Sequence, residues 1–443
     1  MILTNRGGPG IRIRADLLVE NASEVITLAA DPTENGIPGP RTGSSMRNLG
    51  IISDGSVAAF NGRIVATGKS REVREKIELA PNAEVIDAKG MVVLPGFVDS
   101  HTHLVFAGSR EQEFVQRAEG KTYLEILEGG GGILSTVRAT REASESRLLA
   151  LGMKHLDIMM CHGTTTVEIK SGYGLSVDEE LKTLRVIREL AKCHPVDVVS
   201  TFMGAHAVPP EYAGDTEGYV KHVIDDMLPR VKEENLAEFC DVFCERGVFS
   251  VGQSRRILEA GLALGLLPRI HADEMGSLGG AELAAEIGAV SADHLPYASE
   301  KGIRKMAEAG VTATLLPVTS FTLGLGRYAD AKAFISAGCP VALATDFNPG
   351  TGPTLSMQFV MNTAALGMKL HPAEIICAST INAAHGLMRG NLIGSLETGK
   401  LADMVIADTD TYLKIPYQPG VNIVDKVIKR GRLVVNEGRR IAS

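Results

Sequence analysis

At 443 residues the chain is long enough for one large barrel with an appendage, or for two or three ordinary domains. With 44% hydrophobic residues, 22% charged residues and a formal net charge of -8, its composition is that of an ordinary globular enzyme and excludes a disordered or fibrous chain. Lys and Arg are interspersed with acids, so no basic run exists to neutralise successive phosphates, and a nucleic-acid partner is excluded.

The start, Met1-Ile2-Leu3-Thr4-Asn5-Arg6, lacks the apolar core of a secretory signal, and no apolar stretch reaches the roughly 18 residues of a membrane span. A cytoplasmic location with no membrane partner is expected. The first ninety residues carry short β-rich runs at 56–60 and 62–68, separated by Gly, Asn and Asp turn signals. Between residues 32 and 45, Pro, Gly and Thr without apolar periodicity predict a surface loop or partly disordered insertion.

From residue 91, short apolar runs alternate with amphipathic helical stretches, the pattern of βα units around a parallel sheet. Eight strands are expected, at 92–100, 164–170, 196–202, 239–245, 268–273, 290–294, 311–316 and 341–346. Eight units favour a (β/α)8 TIM barrel over an open sheet. The helix after the second strand is expected to begin with a capping box, Ser176 with Glu179, and to bury Leu181, Leu184 and Ile187.

Residues 401–408 and 424–428 again read as strands, with turns at Lys429-Arg430-Gly431 and Asn436-Glu437-Gly438. The economical division is a sheet domain built from residues 1–90 and 394–443 beside a barrel of residues 91–393; two separate β pieces are the alternative. Of the six cysteines only Cys240 and Cys244 lie close together, without a second Cys or His pair at zinc-finger spacing, so both are expected to be buried reduced thiols.

Active sites of such barrels lie at the C-terminal ends of the strands. The first strand ends in His101-Thr102-His103, whose two imidazoles share a face, the fifth in His271, the sixth in His294 and the eighth in Asp346. Three imidazoles and a carboxylate suit zinc or ferrous iron, with the remaining His free to act on water. Hydrolysis follows, because a divalent ion lowers the pKa of a coordinated water from about 15.7 to near 7. Glu274, three residues beyond His271, is placed to exchange a proton with a substrate ring nitrogen. Lys170 and Glu245 end the second and fourth strands and are the candidates for bridging a second metal. Binuclear barrel hydrolases usually take that lysine from the fourth strand, so one metal is expected.

The segment Leu94-Pro95-Gly96-Phe97-Val98-Asp99-Ser100-His101-Thr102-His103 resembles the opening barrel strand of the amidohydrolase superfamily. More specific segments follow. Ser109-Arg110-Glu111, Gly129-Gly130-Gly131-Gly132-Ile133, Lys170-Ser171-Gly172-Tyr173-Gly174-Leu175, Thr201-Phe202-Met203-Gly204-Ala205-His206, His271-Ala272-Asp273-Glu274 and Thr345-Asp346-Phe347-Asn348-Pro349-Gly350 together resemble the imidazolonepropionase family. The resemblance spans nearly all of the chain beyond residue 90.

The resemblance implies a β-sandwich made from both chain ends, a homodimer, and one zinc or iron ion per subunit held by His101, His103, His271 and Asp346. It implies substrate contacts at Arg110, Tyr173, His206 and Glu274, further contacts at Asn348, Gly350 and Thr351, and proton handling by Glu274, His294 and Asp346. The implied reaction is hydrolysis of the cyclic amide of 4-imidazolone-5-propanoate to N-formimidoyl-L-glutamate, in histidine degradation. This small anionic substrate needs a cation, and the Arg110 guanidinium can bind its carboxylate through two parallel hydrogen bonds. Two departures from the family pattern stand out: Thr351 where Ser is usual, and Leu316-Pro317-Val318-Thr319-Ser320 in place of a more Gly- and Thr-rich stretch. The rival reading is an aminohydrolase of a purine, pyrimidine or formimidoyl compound, which shares barrel, metal and the His-x-x-Glu arrangement.

Overall fold

The computed structural model describes residues 12–30, 39–121, 125 and 131–441. Five strands open the chain: β1 (Ile13–Ile26), β2 (Ile51–Phe60), β3 (Arg63–Lys69), β4 (Ile77–Asp87) and β5 (Val92–Pro95). The next eight form an all-parallel sheet: β6 (Phe97–Asp99), β7 (Thr164–Lys170), β8 (Asp197–Ala205), β9 (Phe239–Cys244), β10 (Leu267–Ala272), β11 (Ser291–His294), β12 (Thr312–Leu315) and β13 (Val341–Leu343). Four more, β14 (Met404–Ala407), β15 (Val424–Lys429), β16 (Arg432–Asn436) and β17 (Arg439–Arg440), return to the first sheet.

The first sheet unites both ends of the chain because β5 pairs in parallel with β1 on one side and antiparallel with β14 on the other. Alternation along β1 sends Leu17 and Val19 into one apolar cluster and Leu18 into another, as a period of two requires. The β2–β3 hairpin turns at Asn61-Gly62, both left-handed at φ 50° and 76°, the conformation that an Asn-Gly turn supplies at least cost.

In the second sheet each strand pairs with its chain neighbours, β6 through β13 in order. A bridge between Thr102 and Phe347, just beyond β6 and β13, joins the two ends into a barrel. There the Asp346 N–H donates to the His101 carbonyl at 3.0 Å and the His103 N–H to the Phe347 carbonyl at 2.9 Å. Asp99 reinforces the seam by accepting the Thr345 N–H at 3.0 Å and its hydroxyl at 2.6 Å.

The expected fold class is thus present, with local differences. The strand expected at 92–100 is two strands, β5 in the first sheet and β6 in the barrel, with Gly96 between them. A Cβ on Gly96 would overlap the Thr165 side chain, so only glycine allows the two sheets to approach here. Ser176 precedes the helix Val177–Cys193, but its side chain makes no cap bond, so the expected capping box does not form. Glu180 instead turns back to the preceding loop. Of the loop expected at 32–45, residues 32–38 lie outside the described residues, whereas Gly43–Arg47 forms a short 3-10 helix that buries Met46. Cys240 and Cys244 are buried and free. No helix among the described residues is long and apolar enough to cross a membrane.

Candidate active site

The barrel brings His101, His103, His271, His294 and Asp346 together at the C-terminal ends of β6, β10, β11 and β13, all buried. His101 Nε2 lies 3.4 Å from Asp346 Oδ1, His103 Nε2 lies 3.6 Å from the same oxygen, and His271 Nε2 lies 3.4 Å from His103 Nε2. Ligands around an ion with bonds near 2.1 Å are separated by about 3.4 Å, close to these three distances, and His101, His103 and Asp346 lie within 4.8 Å of one another, as do His101, His271 and His294, so the cluster fits a single metal ion.

Two further carboxylates fix the rings. Asp293 Oδ2 is 2.6 Å from His101 Nδ1, and Asp241 Oδ1 is 3.0 Å from His271 Nδ1. Each Nδ1 therefore carries the proton, and each Nε2 turns a lone pair toward the centre. His101 Nε2 is buried with no hydrogen-bond partner and faces an acceptor oxygen, an arrangement that a cation between them relieves. Burial, helped by Lys170, holds His101 well below the ordinary imidazole range; burial, helped by His206, does the same for His103. Neutral rings are the form that binds metal.

The buried charges agree. Glu168, Asp241, Asp293 and Asp346 face only Lys170 and Arg269 as buried cations in this cluster, an excess of negative charge that suits a divalent ion. Burial lifts Asp346 to about 6, opposed by the Thr319 hydroxyl, which donates to Asp346 Oδ2 at 2.6 Å. That bond leaves Oδ1 turned to the histidines. Asp346 and His294 both have left-handed backbones, at φ 52° and 76°, each costing of order 1–3 kcal/mol and held by the surrounding packing.

Glu274 lies past the end of β10, and its Oε1 is 3.6 Å from His294 Nδ1. Its backbone N–H and that of Met275 donate to Glu245 Oε2 at 3.1 and 2.9 Å, so Glu245 anchors this turn. Burial, with Asp346 and Glu245 nearby, raises the Glu274 carboxyl to about 8. Lys170 is equally occupied: its Nζ is 2.7 Å from Glu168 Oε1 and 2.8 Å from Asp241 Oδ2. Burial alone would lower its pKa, but Asp241 and Glu168 outweigh burial and raise it. A lysine held as ammonium is not the free amine that carboxylation requires.

The remaining expected residues ring the same mouth. His206 stacks on His103 with ring centroids 4.6 Å apart, and its Nδ1 faces the Gly172 carbonyl at 3.0 Å. Burial and His271 lower His206 to about 3, leaving it neutral with Nε2 as an acceptor. Tyr173 lies against both rings, 5.8 Å from His103 and 5.3 Å from His206. The loop carrying Tyr173 is held by Glu180, whose carboxylate accepts the N–H groups of Gly172, Gly174 and Leu175.

Arg110 is buried, with Nε 3.4 Å from Glu113 Oε2, and Glu113 also accepts the Gly132 N–H at 2.7 Å. Within the glycine segment, Gly129 and Gly130 lie outside the described residues. The Asn348 and Thr351 side chains bond to each other and to their own loop: Asn348 Nδ2 donates to the Asp346 carbonyl at 2.7 Å and to Thr351 Oγ1 at 2.9 Å. Sequence reasoning missed Asp241, Asp293 and Thr319. A carboxylate within an otherwise apolar barrel strand was the available signal for the first two.

A closed parallel barrel with three imidazoles and a carboxylate at its strand ends, beside a sheet built from both chain ends, defines an amidohydrolase. Models of the amidohydrolase family match residues 84–129 and 270–434. The relatives are more specific. An imidazolonepropionase of Geobacillus kaustophilus is 54% identical over 96% of this chain and 99% of its own length, and one of Symbiobacterium thermophilum is 52% identical over 96% and 98%. The chain belongs to the imidazolonepropionase family. Among solved structures, an adenosine deaminase of Xanthomonas campestris with bound zinc has a TM-score of 0.71 at 19% identity, covering 98% of this chain and 96% of that one. The guanine deaminase of E. coli has a TM-score of 0.67 at 17% identity, covering 95% and 99%. At such identity the two share the fold, and nothing about substrate follows.

Proposed function

We propose that the chain opens the cyclic amide of 4-imidazolone-5-propanoate with water, giving N-formimidoyl-L-glutamate, as a step of histidine degradation. The observation that carries this reading is the identity above 50% over nearly the full chain to imidazolonepropionases, supported by the buried His and Asp cluster at the strand ends of the barrel. The chain from β6 through residue 393 forms the catalytic unit, and β1 to β5 with residues 394–443 form its β-sandwich companion. The same reading makes the enzyme a cytoplasmic homodimer.

His101, His103, His271 and Asp346 would hold one zinc or ferrous ion, which when bound polarises the amide carbonyl and acidifies water. Arg110 binds the propanoate carboxylate and fixes the ring over the site. Tyr173 and His206 flank the ring, and the loop of Asn348, Gly350 and Thr351 shapes the opposite wall. His294, neutral in its buried setting, takes the proton of the attacking water, aided by Asp346. Glu274, protonated at neutral pH, delivers a proton to the ring nitrogen as the C–N bond breaks.

The test is direct. Purified enzyme given freshly generated imidazolone propanoate should consume the ring absorbance and form formimidoylglutamate without releasing ammonia in the first turnover. Spontaneous-rate decay of the imidazolone, with ammonia liberated from a purine, pyrimidine or formimidoyl compound, would replace this reading with the aminohydrolase one.

A further inference from the structure

Strand β7 is wholly buried, yet two of its inward positions, Glu168 and Lys170, are charged. Lys170 Nζ lies 2.7 Å from Glu168 Oε1, 2.8 Å from Asp241 Oδ2 and 3.8 Å from Asp293 Oδ2, and none of these four side chains is exposed. Each carboxylate leads to a different part of the ligand set. Asp241 holds His271 at Nδ1, Asp293 holds His101 at Nδ1, and Glu168 Oε2 accepts the N–H of Thr102, the residue between His101 and His103, at 3.2 Å. The Thr102 hydroxyl returns to the Glu168 carbonyl at 2.6 Å, and the Lys170 N–H donates to the Thr102 carbonyl at 2.9 Å. Arg269 joins the cluster from the side of Asp293, with Nη2 3.2 Å from Asp293 Oδ2 and donating to the Ser100 carbonyl at 2.8 Å.

Stability alone gives no reason for this cluster, because a buried ion network is commonly no more stable than apolar residues of the same volume. Its geometry gives one. An imidazole ligand is oriented by what its second nitrogen meets, and here the partners of two ligands share one ammonium. We propose that Lys170 is a positioning residue for the metal centre, fixing through Asp241 and Asp293 the ring orientation and tautomer of His271 and His101. The proposal rests on the ligand set given under the proposed function.

The test uses full-length protein stripped of metal and titrated with cobalt(II) against a chromophoric chelator. Circular dichroism reports folding, and the visible cobalt spectrum reports the ligand field. Lys170→Met should remain folded, bind cobalt roughly 10- to 100-fold more weakly, and shift the visible bands. Asp241→Asn should have a similar effect, and the double variant should lose less than the product of the two, because both changes act along one path. If Lys170→Met fails to fold, Lys170→Met/Glu168→Gln removes one carboxylate with the cation and carries the same expectation. Unchanged cobalt affinity and spectrum in the folded variant, or fully multiplicative losses in the double variant, overturn the proposal. His271→Asn is the control: if it binds cobalt as tightly as the parent chain, the ligand set itself is wrong, whatever Lys170 does.

Discussion

The Arg110 guanidinium occupies the space that a side chain at position 350 would need: a Cβ built on Gly350 overlaps Nη2, Cζ and Nε of Arg110. One residue follows β6 and the other follows β13, so a glycine on one side of the barrel mouth admits the cation from the other. Gly350→Ala should therefore displace Arg110 and raise KM about tenfold or more, with metal content unchanged. Arg110→Lys should do the same, since an ammonium cannot reproduce the two-pronged contact. Steady-state kinetics with parallel metal analysis decide; a KM like that of the parent enzyme in both variants would remove Arg110 from carboxylate binding.

Thr319 and Asp346 form a second such pair. Replacing Thr319 by Val keeps the shape but leaves Asp346 Oδ2 without its 2.6 Å donor. The lost bond to a charged group should destabilise the fold by about 1.5–3 kcal/mol and free the carboxylate to rotate. Weaker metal retention on dialysis against a chelator, with a modest fall in melting temperature, is the expected result. Full retention would show that the ligands orient Asp346 unaided.

Glu274 supplies the pH dependence. With its carboxyl raised to about 8 by burial, Asp346 and Glu245, it holds a proton at neutral pH and loses it above. Activity should fall on the alkaline side as that proton leaves, and Glu274→Gln should be slow at every pH without losing metal.

Stability should move in the same sense. The folded chain holds this proton more tightly than the unfolded chain, where the ordinary value is 4.5, so the group's favourable contribution is complete below that value and is lost as pH rises through about 8. Above pH 8 metal-free Glu274→Gln should thus melt higher than the metal-free parent, by up to a few kcal/mol in folding free energy. Calorimetry at pH 5 and pH 9 tests this, and equal melting temperatures at both pH values would contradict a raised Glu274.

Metal removal gives the simplest count. Chelation should abolish hydrolysis, and one equivalent of zinc or iron per chain should restore it in full. A requirement for two equivalents, with activity dependent on carbon dioxide, would return Lys170 to the role of a bridging ligand.

Much of this was legible in the sequence because barrel strands are short apolar runs whose last residue faces the mouth. His101, His103, His271, His294 and Asp346 could be read from their strand ends without knowing the packing. The strand at 92–100 was not divisible by that logic, since its apolar run continues unbroken across Gly96 while the chain passes between two sheets. Ser176 and Glu179 match a cap pattern, but the bonds that hold this helix entrance come from Glu180, which tertiary packing turns toward Gly172 and Leu175. Thr319 was noticed only as a departure from a family pattern. Its partner lies 27 residues away, a relation that no local pattern carries.

The seam that closes the barrel also sets an order of events as the chain is made. Thr102 and Phe347 meet across most of the polypeptide, and the two histidines beside Thr102 find their carboxylate only once Asp346 has been synthesised and docked. The first three hundred residues already contain His101, His103, His271 and His294, and only the carboxylate of Asp346 is still to come. On the proposed ligand set, the metal centre would be complete only after β13 has docked, and a chain truncated before β13 would lack its carboxylate ligand.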